Sequence, residues 1–217
     1  MYKNLRSFIK EINLFPFFYL IIIYAIYFIL PFEVFDGKTV FNLWTYEEYL
    51  AEHFQFILYL SASILALLNI VKNKYKVYSL QNLSWLTIGF ICFLIAIEEI
   101  SFIDLLKDSI FEPLREINIS NEINIHNSNF IQPYLHYLYI LFNLFFGWFG
   151  WKIFSKIEAM PLIKYILFFL FCSLSYFAKE LKIFITIIPY IHQEIFEFLM
   201  SLGLFLHTLE RFKQYSK

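Results

Sequence analysis

Residues 85–101 read WLTIGFICFLIAIEEIS, an apolar run that ends on two adjacent acids. From Trp85 to Ile97 there are 13 residues without a charge, worth only about 20 Å of helix at ~1.5 Å per residue. The hydrocarbon core of a bilayer is roughly 30 Å thick, so a helix crossing it here must continue through Glu98, Glu99, Ile100 and Ser101. The stretch therefore predicts a membrane-spanning helix with two carboxyl groups at or just inside the boundary. Placing an acid there costs on the order of 2.5–3.5 kcal/mol on insertion scales, and an acid held at that cost has a partner or a task.

The rest of the chain has the same character. Its 217 residues are 60% hydrophobic and 23% aromatic, with mean hydropathy +0.62, against about 45–50% apolar for ordinary globular chains. Six blocks are long enough to approach the roughly 20 apolar residues of a spanning helix: 14–32, 54–71, 83–103, 134–155, 161–178 and 190–209. The first follows Lys3, Arg6 and Lys10, is longer than a signal-peptide core and has no small-residue cleavage site after it, so it reads as a retained helix. The expected fold class is all-α: a polytopic membrane helix bundle of about six transmembrane helices, with residues 1–217 forming a single integral membrane domain.

Charge sets the orientation. With the N-terminus cytoplasmic, the inner side holds 12 of the 17 basic residues, among them Lys72, Lys164, Arg211 and Lys213. The outer side holds 15 of the 18 acids and four of the five histidines. This obeys the positive-inside rule and predicts both termini in the cytoplasm of a bacterial inner membrane, with the polar site outside. The near-neutral net charge of -1 conceals that dipolar layout and offers no basic surface for nucleic acid. Cys92 and Cys172 fall deep in the third and fifth blocks without metal-type spacing and read as small packing residues.

Two outer connections are long. Residues 33–53 carry Glu47, Glu48, Glu52 and His53, with Glu52 the acid most expected to turn inward. Residues 104–133 form the longest loop, between spans three and four. Within it Glu116, Asn118, Ser120, Glu122, Asn124 and His126 alternate with isoleucines, a period-two pattern of extended chain or a short hairpin. A helix would equally bring Glu122 and His126 together at i, i+4.

Three groups gather at the outer end. Glu98 and Ser101 share one helix face, with Glu99 turned about 100° away. Glu194 and Glu197 share a face of span six, and His192 joins them only if Pro189 leaves residues 190–193 unwound. Glu122 and His126 come from the loop. Carboxylates and histidines from facing helices are the usual way a bundle builds a metal site.

The stretches Glu98 to Phe102 and Asn118 to Asn127 resemble a group of bacterial polytopic membrane proteins of unassigned activity. Their pattern is Glu-Glu-x-Ser-Trp-Gly-Gln, followed further along by Asn-x-Gln-x-Glu-x-Asn-x-His-Asn. Glu98, Glu99, Ser101, Asn118, Glu122, Asn124, His126 and Asn127 match, whereas Phe102, Ile103, Asp104 and Ser120 depart from it. The resemblance covers about 30 of the 217 residues and implies that the span-three acids and the loop histidine belong together.

Oxygen and imidazole donors suit Zn, Mn or Fe. The expected metal ligands are Glu98, Glu122, His126, Glu194 and Glu197, and the ion would activate a water. Glu99 is the candidate general base; Ser101 and Asn127 orient ligands or donate to an oxyanion. A metal-dependent hydrolase or transferase at that position meets a membrane lipid or lipid-linked substrate. P-loop, Gly-x-Ser-x-Gly and His-Glu-x-x-His signatures are absent. One alternative is a non-catalytic subunit that binds a partner protein, lipid or pigment, or a homo-oligomer. The other is a proton or ion transporter, which needs a polar track continuing inward. Beyond Ser61, Ser63, Ser84, Thr87, Asn143, Ser173 and Ser175 the inner halves offer little of one, and His207 lies near the cytoplasmic end, apart from the cluster.

Overall fold

The computed structural model describes residues 12–35, 37–45, 50–73, 79–99, 134, 137–138, 140–141, 157, 159–161, 163–180 and 189–216, with side chains at 35, 45, 98–99, 163, 174–180 and 189–194 outside the description. These residues are mostly helical: α1 (Phe15–Ile29), α2 (Val40–Thr45), α3 (Leu50–Lys72), α4 (Leu80–Glu99), a 3₁₀ turn at Ile163–Tyr165 leading into α5 (Ile166–Glu180), and α6 (Pro189–Tyr215). The few described residues of the fourth expected block, 134–141, are helical.

Local chemistry sets the starts. Asn13 Oδ1 accepts from Phe15 N–H at 2.9 Å and Pro16 occupies the first turn of α1. Thr39 Oγ1 and Ser79 Oγ accept from Asn42 and Asn82 N–H, capping α2 and α4. Between α1 and α2 a tight antiparallel hairpin pairs β1 (Glu33–Phe35) with β2 (Lys38–Thr39), and Gly37 takes the positive φ of 70° that its turn requires.

Contacts at the helix ends fix their relative directions. Asn13 N–H donates to Lys164 O, Lys164 pairs with Glu210, Lys72 donates to Ser216 Oγ and Asn73 donates to Asn82. The starts of α1, α4 and α5 therefore lie beside the ends of α3 and α6, and Lys72, Lys164, Arg211 and Lys213 collect at one basic end. Neighbouring helices α3 and α6 run parallel: Asn69 meets Thr208 at an offset of 139 residues and Lys72 meets Ser216 at 144.

Two of these helices, Leu50–Lys72 and Leu80–Ile97, are long and apolar enough to cross a membrane. In each, 33% of the apolar window is buried. The outward residues are Ile57, Ile64, Leu67 and Val71 on α3 and Leu83, Leu86, Phe90 and Phe93 on α4. The outward hydroxyls of Ser84 and Thr87 donate to the carbonyls of Leu80 and Leu83 one turn back, which satisfies them without solvent. α1 has 15 residues, fewer than the block 14–32 expected of span one, because Leu30 to Phe32 leave the helix for the hairpin.

At the basic end, partial burial pushes the Glu210 carboxyl up, but hydrogen bonds from Lys164 and Tyr165 and the charges of Lys164 and Arg211 outweigh this and hold it below its ordinary value. The resulting stability is complete at neutral pH and is lost as pH falls through the lowered carboxyl value. Glu210→Gln is therefore expected to flatten the acid limb of the melting-temperature profile. The loss at pH 7 should stay below about 1 kcal/mol, since both partners are partly exposed.

Candidate functional site

The buried face of α3 is made of small and polar residues: Ala51, Gln55, Tyr59, Ala62, Ser63, Ala66 and Asn69, at steps of three and four. α6 answers with Glu197, Ser201, His207 and Thr208, all buried. α3 thus turns small and polar side chains inward and apolar ones outward, the reverse of a soluble amphipathic helix, whereas α6 buries its polar residues among Ile195, Leu199, Met200 and Leu204.

Glu197 is only 6% exposed, and its carboxyl lies within electrostatic reach of Glu52 in the first turn of α3. Glu52 sits where the unpaired N–H groups of α3 favour negative charge. Below this pair Gln55 and Tyr59 are fully buried, and Ser201 Oγ donates to Phe198 O at 2.8 Å. Ser63 Oγ donates to Gly89 O of α4 at 2.8 Å, and Asn69 Nδ2 to Thr208 O at 3.2 Å. The seam extends past the middle of the bundle, contrary to the expectation that the inner halves offer little polarity. Ser84 and Thr87, expected within such a track, face outward instead.

Aromatic residues pack together beside the acid-bearing turns of α3 and α6. Trp44 of α2 packs on Phe54 and Phe198, with ring centroids 5.6 and 5.3 Å away, and its Nε1 donates to Tyr19 OH at 2.8 Å. Phe54 is two residues from Glu52 and Phe198 is adjacent to Glu197. The connection 33–53, expected as an outer loop, contains an ordered hairpin and a short helix whose tryptophan packs between Phe54 of α3 and Phe198 of α6.

Of the expected site residues, Glu197 is the one whose side chain is described. Glu98 and Glu99 lie on the last turn of α4, as the span-three reading requires, with side chains outside the description. α3 and α4 are antiparallel, with Gly89 beside Ser63. Ten residues onward from Gly89 is Glu99 and ten back from Ser63 is His53, so Glu98 and Glu99 end α4 at the level of Glu52. Glu194 is helical and one turn before Glu197, its side chain likewise outside the description. α6 begins at Pro189, so residues 190–193 are wound and the condition under which His192 joins the glutamates is not met. Ser101, Glu122, His126 and Asn127 lie outside the described residues, as do Glu47, Glu48 and His136. Among the described residues no group of three or more His, Cys, Asp or Glu is close enough to hold a metal ion. Cys92 and Cys172 are both buried, as packing residues should be.

Sequence reasoning missed Gln55, Tyr59 and Ser201 as companions of the acids. Gln55 stands three residues after Glu52, Tyr59 four after Gln55 and Ser201 four after Glu197, which was the available signal, but an apolar block interrupted by single polar residues reads first as a lipid-facing span. The chain matches no known protein-family model, and no curated protein or solved structure matches it either.

Proposed function

We propose that the chain is an integral membrane protein of six spans with both termini cytoplasmic, in which the Glu52–Glu197 pair takes up and releases a cation, in the simplest case a proton. The single observation that carries this reading is Glu197, buried in the α3–α6 interface beside a second carboxyl and above Gln55, Tyr59 and Ser201. Two carboxylates brought together at one buried site form a natural binding point for a cation shared between them. Intramembrane acids of this kind mark ion pathways and proton relays. The outward apolar faces of α3 and α4 support membrane residence, and the basic end that joins Lys72, Lys164 and Arg211 supports its placement in the cytoplasm.

Protein reconstituted in liposomes, with an imposed potential and an internal pH dye, is expected to carry protons faster than empty liposomes. Glu197→Gln should reduce that rate on the order of tenfold or more. Wild-type flux equal to that of empty liposomes would sink the proton form of the proposal, and the same assay with sodium or potassium tests the others.

A second reading is favoured by the helical Glu98 and Glu99 of α4, which lie level with Glu52. It is a Zn, Mn or Fe hydrolase or transferase acting on a lipid or lipid-linked substrate, with Glu98, Glu122, His126, Glu194 and Glu197 as ligands and Glu99, Ser101 and Asn127 beside the reacting group. Metal analysis of detergent-purified protein tests it: stoichiometric metal lost in both Glu98→Gln and His126→Ala is the expected result, and metal-free wild type the contrary one.

A further inference from the structure

A second buried polar group lies toward the basic end of the bundle. His207 is fully buried, with Nε2 3.1 Å from Ala159 O. A carbonyl only accepts, so in the neutral ring Nε2 carries the hydrogen and Nδ1 is the basic nitrogen. The imidazole stacks on Trp85 of α4 at 5.7 Å and 18°, and Tyr165 meets it edge-on at 6.3 Å. Asn69 of α3 reaches the same turn of α6 through Thr208.

Asn69 and Trp85 are both fully buried, yet among the described residues neither Asn69 Oδ1 nor Trp85 Nε1 has a hydrogen-bond partner. One is an acceptor and the other a donor. A buried group left unsatisfied costs about 1–3 kcal/mol, and internal water bound to two or more such groups is the ordinary remedy.

We propose that Asn69, Trp85 and His207 form a hydrated proton-exchange site toward the basic end of the bundle. Water accepts from Trp85 N–H and donates to Asn69 Oδ1 beside the imidazole. His207 Nδ1 accepts one proton from hydronium, leaving water and an imidazolium, and returns it by the same route; no other bond changes. The indole face stabilises the cation. Among the described residues the charged neighbours are Glu210 and Arg211 on the next turn of α6, Lys164 beside Tyr165, and Lys72 one turn beyond Asn69, held over the Phe212 ring. Described α4 has no charged residue before Glu98. Lys164 is paired with Glu210, and Tyr165 OH donates to that same carboxylate at 2.8 Å, so Tyr165 links the imidazole to the exposed rim. This site is separate from the Glu52–Glu197 pair and does not depend on its function.

Replacing Trp44, Trp148 and Trp151 by Phe leaves Trp85 as the only indole. Imidazolium stacked on indole quenches its emission, so the emission should fall sigmoidally as pH is lowered from about 8 to 5. His207→Phe should abolish the transition and Asn69→Leu should move it to lower pH, because a drier site disfavours the imidazolium. Nitrogen-15 histidine spectra of the unmutated protein supply the same readout where the triple variant misfolds, with His207→Gln identifying the resonance. Flat emission in a protein of unchanged helix content, a transition that survives in His207→Phe, or a His207 resonance that does not move with pH would each overturn the proposal.

Discussion

Ile64→Arg is expected to block membrane insertion of the protein. Ile64 lies mid-way along α3 and is 51% exposed, on the face that also carries Ile57, Leu67, Leu68 and Val71. In a bilayer this face meets lipid, where a central arginine costs about 2.5–3.5 kcal/mol on insertion scales and isoleucine contributes roughly -0.3 to -0.6. The difference of about 3–4 kcal/mol corresponds to more than a hundredfold in the insertion equilibrium at about 1.4 kcal/mol per factor of ten. Ile64→Leu, equally apolar, should behave as wild type. The measurement is the fraction of protein in alkali-washed membranes. In a water-soluble helical protein the outcome reverses: Ile64→Arg would remove an exposed apolar side chain and raise soluble yield. Monodisperse, detergent-free Ile64→Arg protein alongside equally soluble wild type would therefore end the membrane reading. Ala66, two residues away and fully buried, cannot make this distinction, since arginine there destroys packing in either solvent.

Helix positions were legible in the sequence where apolar runs are long. The block 54–71 appears as Leu50–Lys72 and the block 190–209 as Pro189–Tyr215, each extended at its ends by further helical residues. The continuation of α4 through Glu98 and Glu99 followed from span length alone. Legibility failed where tertiary packing decides. Val40 to Thr45 fold back so that Phe41 packs on Tyr27 and Trp44 bonds Tyr19, contacts that no local periodicity encodes. Glu52 was the outer-loop acid most expected to turn inward, and it does neighbour Glu197. The polar seam beneath the pair depends on the parallel register of α3 and α6, helices more than a hundred residues apart in sequence. Single-helix periodicity locates a buried face but does not name its partner.

Gly203→Leu is expected to destabilise the bundle by about 1–3 kcal/mol or more, the range for overpacking a close-fitted interface. A Cβ at Gly203 would stand 2.8 Å from Phe168 Cβ and 3.1 Å from its Cγ. Those atoms are the rooted end of a fully buried side chain, so no rotamer change clears them and α5 and α6 must separate. Small residues permit this approach between helices in membranes. Gly203→Ala already introduces the clash and should melt below wild type. Gly89→Ala is the informative contrast, since its Cβ would lie 3.4 Å from Ala66 Cβ and 3.5 Å from Ser63 O, in ordinary contact. There alanine's better helix propensity, about 0.8–1 kcal/mol over glycine, should hold or raise stability. Thermal melts in one detergent compare the two; Gly203→Ala as stable as Gly89→Ala would show that the α5–α6 contact is looser than described. The displacement also reaches the basic end, because Phe168 stacks on Phe15 and packs edge-on against Tyr165, whose ring touches His207. Opening the Gly203 contact should therefore change the fluorescence of Trp85, stacked on that imidazole, while Gly89→Ala leaves it unchanged.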